Sequence, residues 1–317
     1  MWEDLLELNQ ELLRRMQKTP DRAAGRQLLA DSFGEFKPIP VFQDKPWQGW
    51  QVVGIDGSQQ TIGANYPYQL ALLQALALAS QGGEQLKQRV ITPLLAEGEE
   101  EVRQLVREKG LSQELAFSRL RDRHLAQLEL ETLLELIFHQ KPRAIMLDGG
   151  FLRLEQAWAE GWQQLYSFCL EENILLIGVI EEVGTNAIAQ ELGEKAPPLW
   201  QRAYDREILY DLLQEGELLL PYRPLAVKDR YYTVFLRPGT YPQAIALDLL
   251  AEQKNKAQLA AALVISLCPA GGRGIPWLLD LIDQKVKLTR QQTDALLDYV
   301  LDLQVREKFL RSMRERR

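Results

Sequence analysis

Two apolar runs in this chain each arrive at an aspartate followed by glycine. The first is "QVVGIDGSQ" at 51–59 and the second is "RAIMLDGG" at 143–150. Each run has the length and aliphatic content of a buried strand. A carboxylate at a strand end is fixed by a rigid element yet open to a ligand. Two such strands side by side would set two acids at one sheet edge, and oxygen donors of that kind suit Mg2+ or Mn2+. Asp-Gly is also a common turn pair, so each pair alone reads first as a strand meeting a turn.

The segments around these runs mix helix and strand. Residues 2–17 read as a helix, with Leu5, Leu8, Leu12 and Leu13 at helical spacing, and 20–32 as a second helix after Pro20. The stretch "FGEFKPIPVFQDKPWQGW" has three prolines and reads as an irregular arm. Propensity favours helix for "NYPYQLALLQALALAS" at 65–80, with a strand as the alternative if it pairs back on the first run. "RVITPLLAEG" includes a further strand, 97–140 form one or two long helices, and 151–171 form a helix. "NILLIGVIEE" is a third apolar strand ending at Glu181 and Glu182. "YYTVFLRP" and "QAIALDLL" form a hairpin or two nearby strands, and helices cover roughly 251–266, 275–285 and 290–312, with a strongly basic end. The expected class is α/β, with helical additions at the N-terminus, in the middle and at the C-terminus.

Three further acids qualify as site residues or stand near one. Glu129 lies on a helical stripe with Leu125, Leu128, Thr132, Leu133 and Leu136, and an acid on an apolar stripe needs a partner or a metal. Glu131 falls on a more polar face and is the fallback. Asp248 interrupts "AIALDLL", and strict alternation places it with Ala244 and Ala246, where an edge or solvent-facing position is the better reading.

The net charge of -7 counts against non-specific coating of nucleic acid but fits acids gathered around divalent ions. His124 and His139 are the only histidines and read as surface residues, so a His-rich zinc site or a Ser-His-Asp triad has little to draw on. Cys169 and Cys268 read as buried thiols of a reducing compartment. "CPAGGRGIPW" lacks the Gly-Lys-Ser/Thr ending of a phosphate loop. Trp47 and Trp50 either pack or stack on a base. No apolar run has membrane-helix length, and the acidic amphipathic start does not read as a secretory signal. The expectation is a cytoplasmic protein with no membrane partner.

"GIDGSQ", followed some ninety residues later by "IMLDGG", resembles the NurA nuclease family. The resemblance spans about residues 45–300, leaving 1–44 as an N-terminal helical arm and 301–317 as a basic C-terminal helical tail. It implies an RNase H-like mixed-sheet core and a homodimer with a central channel. It also implies DNA cleavage with Mn2+ or Mg2+, two ions being expected, and partnership with a HerA-like hexameric ATPase in DNA end resection and repair. In that reading Asp56 and Asp148 are the first and second metal-binding acids, Glu129 is the helical ligand, and Asp248 is the late strand acid. Asp283, in "GIPWLLDLIDQKVKLT", stands where the family carries histidine. Gly150 replaces a serine, Ala246 a basic residue, and Ile180-Glu181 a Ser-Lys pair. Metal-dependent DNA cleavage is the leading expectation. A weak or inactive dimeric adaptor for a HerA-type ATPase is the alternative, and a hydrolase of small phosphate esters a third.

Overall fold

The computed structural model describes residues 1–269 and 271–310. Its strands are β1 (Gly34–Pro38), β2 (Val52–Ile62), β3 (Leu70–Ala79), β4 (Glu84–Ile91), β5 (Ala144–Asp148), β6 (Leu175–Ile180), β7 (Glu217–Pro221), β8 (Tyr231–Arg237) and β9 (Ile245–Leu250). The α-helices are α1 (Trp2–Lys18), α2 (Arg22–Ser32), α3 (Ala96–Lys109), α4 (Gln113–Gln140), α5 (Phe151–Ala157), α6 (Ala159–Glu171), α7 (Ala187–Leu192), α8 (Asp205–Leu209), α9 (Ala257–Leu267), α10 (Trp277–Val286), α11 (Arg290–Val300) and α12 (Leu303–Phe309). The chain forms two compact units. One comprises Met1–Gly49 and Leu175–Trp277, the other Trp50–Ile174 and the segment from Leu278 onward.

In the unit that begins at Trp50, β2, β3 and β4 form an antiparallel meander, and β5 lies parallel to β2. This mixed sheet is the arrangement expected of an RNase H-like core. Its register runs from Val52 opposite Ala144 to Ile55 opposite Leu147. The next residue on each strand is an aspartate, so Asp56 and Asp148 come side by side on one face. Alternation along β2 then divides the strand. Gly54, Asp56 and Ser58 point to the face that carries α10, while Gly57 and Gln59 point toward α4. A Cβ on Gly54 would lie 2.6 Å from Ile282 Cδ1, so α10 sits directly on the backbone there. The Ser58 hydroxyl accepts the Leu288 N–H at 3.2 Å, and Gln59 donates to Asp122 of α4 at 3.2 Å. The "DGSQ" residues thus tie one strand to both helical layers.

The other unit has the strand order β1-β7-β8-β9-β6, with every neighbouring pair antiparallel. Its core gathers Leu29, Phe33, Ile188, Leu209 and Phe235.

Several expectations change. Residues 70–79 are β3 rather than helix. Nearly every residue of β3 is buried, so its Leu-Ala run shows no alternation and imitates a helix. The arm at 33–50 contains β1, which ends on Pro38 at the edge of its sheet. β2 does not stop at Asp56 but runs on to Ile62, so the first Asp-Gly is not a turn. The helix expected at 151–171 breaks at Trp158, whose extended backbone separates α5 from α6. The one expected at 290–312 divides at Leu301 and Asp302, where the Asp302 carboxylate caps α12. Residues 311–317 of the basic tail lie outside the described residues. β7 was not anticipated.

Filling the space at Gly54 should loosen α10. Gly54→Val is expected to destabilise the fold by about 1–3 kcal/mol, read as a lowered midpoint in thermal or urea unfolding.

Candidate functional site

Asp56 is buried on β2, and its Oδ1 accepts the N–H of Gly57 at 2.7 Å. Asp148 ends β5 and is exposed. The turn behind it uses Gly149 in the left-handed region, at φ 97°, and Gly150 serves as the N-cap of α5. Gly150 fills a capping position that a serine would also suit. Asp283, on the exposed side of α10, contributes to the negative field at Asp56.

Glu129 reaches this group from α4, on the opposite side of the sheet. Gly57 makes that possible: a Cβ there would lie 2.6 Å from Glu129 Oε1 and 2.8 Å from Leu125 Cδ1. The glycine of "IDGS" therefore makes room for the Glu129 side chain rather than for a turn. Arg153 of α5 clasps the same buried carboxylate, with one guanidinium nitrogen 3.0 Å from Oε1 and the other 2.5 Å from Oε2. The second nitrogen also lies 3.4 Å from the Asp148 carbonyl oxygen.

The electrostatics follow from this placement. Burial pushes the Asp56 carboxyl up to about 8, and the negative charges of Asp148, Glu129 and Asp283 reinforce the shift against the Gly57 N–H. For Arg153, burial works against the charged form. The Glu129 carboxylate, with Asp148 and Asp56 beyond it, outweighs burial and raises the guanidinium above its ordinary value. The donors Asp56, Asp148, Glu129 and Asp283 are all hard oxygens, which fits Mg2+ or Mn2+ in type. Among the described residues, however, no three His, Cys, Asp or Glu side chains stand at metal-holding spacing. Glu129 is closed on Arg153 instead.

The remaining candidates lie elsewhere. Glu131 is turned from Asp56 and pairs with Arg89 at 2.9 Å, so it is not simply solvated. Asp248 belongs to the other unit. It is completely buried, contrary to the edge or solvent-facing reading, because β8 and β6 flank β9 on both sides. Lys228 Nζ lies 2.8 Å from both of its oxygens, and the Thr233 hydroxyl donates to Oδ1 at 2.6 Å. Glu181 pairs with Arg273 of the glycine-rich loop at 3.4 Å. His124 is half-buried, its ring meeting Glu101 of α3 at 3.0 Å, whereas His139 is exposed. Cys169 is buried and Cys268 partly so, both as free thiols. Trp47 packs edge-on against Phe42, and Arg143 lies over Trp50.

Arg153 was missed in the sequence. Its signal is a cation in the first turn of the helix after "LDGG", where the helix dipole favours an anion, and that mismatch points to a nearby carboxylate.

Residues 51–288 match the NurA domain. No curated protein is significantly similar in sequence. Among solved structures, Ciona intestinalis endonuclease V bound to inosine-containing DNA aligns with 93% of this chain and 100% of its own, at 14% identity and a TM-score of 0.41. Human endonuclease V aligns over 87% and 96%, at 12% identity and a TM-score of 0.37. Aquifex aeolicus Argonaute aligns over 74% of this chain and 27% of its own, at 11% identity and a TM-score of 0.31. Likenesses of this degree assign no substrate.

The Asp56 shift carries a sign. From the ordinary 3.8 up to about 8, the unfolded chain gives up this proton while the fold retains it. Ionising Asp56 therefore costs nothing below the unfolded pKa, costs more as pH rises, and costs most above the folded pKa. In metal-free protein, Asp56→Asn should stabilise the fold by a few kcal/mol at pH 8–9 and by little near pH 4, as read by unfolding at each pH in EDTA.

Proposed function

Because the chain belongs to the NurA domain family, we propose that it is a divalent-metal-dependent nuclease that hydrolyses DNA phosphodiesters in end processing. The observation that carries this reading is the convergence of Asp148, Glu129 and Asp283 on the buried Asp56, which raises its pKa to about 8. Within that cluster Arg153 pairs with Glu129, and a divalent ion is the further cation its oxygen donors suit.

Asp56 and Asp148 would hold Mn2+ or Mg2+, with Glu129 and Asp283 nearest to complete the set. Two divalent ions, when bound, supply Lewis acidity toward the phosphodiester and positive charge for the leaving oxygen. Asp56 gives up its proton on loading. Arg153 keeps Glu129 neutralised until then, and its partly exposed guanidinium can turn to a phosphate oxygen. It brings the positive charge that Ile180 and Glu181 do not. Asp248, held by Lys228, acts as a structural ion pair in this reading.

DNA as substrate, a HerA-like ATPase and a second copy as partners, and a cytoplasmic setting belong to the proposal through the family. No helix among the described residues is long and apolar enough to cross a membrane. One observation favours the adaptor alternative: Glu129 is closed on Arg153.

Titrating the purified chain with Mn2+ and then assaying single-stranded DNA cleavage separates the two readings. Wild type should bind Mn2+ and cleave, and Asp56→Ala should lower the rate at least about 100-fold with unchanged circular dichroism. Full activity in Asp56→Ala would sink the assignment of Asp56. Metal binding without cleavage would favour the adaptor.

A further inference from the structure

Both carboxylate oxygens of Glu129 are already taken. One guanidinium nitrogen of Arg153 reaches Oε1 at 3.0 Å and the other reaches Oε2 at 2.5 Å. A carboxylate held by both prongs of an arginine fork has little left to offer an ion. An ion that takes Glu129 does so in the place of Arg153 or close beside it, and two cations at one buried carboxylate repel. In keeping with this, the acids around Asp56 do not stand at metal-holding spacing among the described residues.

The Lys228–Asp248 pair shows what a permanent clamp looks like in this chain. Its lysine is 8% exposed and its aspartate 0%. The Arg153–Glu129 pair is built differently. Glu129 is 5% exposed but Arg153 is 40% exposed, so the cation faces solvent while the anion does not. Arg153 rides in the first turn of α5, and its second nitrogen lies 3.4 Å from the Asp148 carbonyl oxygen. A change of rotamer moves its charge while the backbone stays in place.

The acids that face Arg153 are Glu129, Asp148 and Asp56. Positive charge on Asp56 and Asp148 would cancel their pull on the guanidinium and push it away. A phosphodiester supplies what Arg153 then lacks, two oxygens that match its fork. We propose that Arg153 is a substrate-sensitive latch, closed on Glu129 in the free protein and drawn to a phosphate oxygen of a bound strand, which opens Glu129 to the metal. The inference rests on the nuclease reading for the ion and the strand, and it adds the regulation of that site. Metal and strand then tighten each other by the same factor.

The test titrates the full chain with Mn2+, read by the electron paramagnetic resonance of the free ion. It is run with and without a short phosphorothioate-linked single-stranded oligonucleotide that resists cleavage, and Mn2+ held by the oligonucleotide alone is subtracted. Wild type should bind Mn2+ about 10-fold more tightly with the oligonucleotide, and Arg153→Gln should lose most of that gain. A second arm works in EDTA. Glu129→Gln frees Arg153 and should tighten the oligonucleotide about 10-fold in fluorescence anisotropy. The same substitution made on Arg153→Gln should give almost no gain, whereas simple removal of a negative charge would give it in both backgrounds. Arg153→Lys keeps a charge for Glu129 without the fork; it replaces Arg153→Gln if that chain misfolds, and should reduce both gains. The proposal is overturned if Mn2+ and the oligonucleotide bind wild type independently, or if Glu129→Gln gains equally with and without Arg153. Cleavage of ordinary DNA is scored separately. Cleavage without coupling overturns the latch and leaves the nuclease reading, and coupling without cleavage does the reverse. A chain that binds no Mn2+ overturns both.

Discussion

A β-sheet ordinarily keeps the side chains of its two faces apart, and Gly57 is the gap where this one does not. Asp56 points to the α10 face and Glu129 descends from α4 on the other. Any side chain at 57 would push the Glu129 carboxylate and Leu125 aside, since a Cβ there would lie 2.6 Å from Glu129 Oε1 and 2.8 Å from Leu125 Cδ1. Asp148, set beside Asp56 by the parallel register of β2 and β5, and Asp283 on α10 complete a group of like charges. The structure answers that repulsion in two ways. Asp56 keeps its proton to a pH near 8, and Arg153 clamps Glu129 with two hydrogen bonds. Both are devices that a divalent ion would replace.

The treatment of Asp248 shows the contrast. It too is a buried strand acid, but Lys228 and Thr233 bond it directly. Removing one partner of such a buried pair is strongly destabilising, while the intact pair asks for no further cation. Among the described residues, Asp56 has no basic partner hydrogen-bonded to it in that way; its carboxylate accepts the Gly57 N–H and faces neighbouring acids, with Arg153 beyond on Glu129. The difference between a neutralised acid and an under-compensated one separates a structural carboxylate from a candidate ligand here.

Much of this was legible in the residues. The α/β class, the two strand acids and the long helices around Glu129 follow from apolar runs, Asp-Gly pairs and leucine spacing. The helical phase also distinguished Glu129 from Glu131, which meets Arg89 instead. What was not legible depends on tertiary placement. β3 is buried along nearly its whole length, so its Leu-Ala composition carried no strand period. Gly57 looked like a turn because only the arrival of Glu129 explains it. The burial of Asp248 depends on β8 and the distant β6, both earlier in the chain, and Lys228 lies twenty residues away. Arg153 left a trace only as a cation at the wrong end of a helix.

The central claim is that the buried Asp56 holds a proton in the place of a metal ion. Calorimetric titration of the metal-free protein with Mn2+, repeated in buffers of different ionisation enthalpy, measures the protons released per site. Near pH 7 the account predicts release of close to one proton from Asp56, falling as the pH rises past about 8, and loss of that release in Asp56→Asn. Mn2+ binding with no proton release at pH 7, or release unchanged in Asp56→Asn, would contradict it.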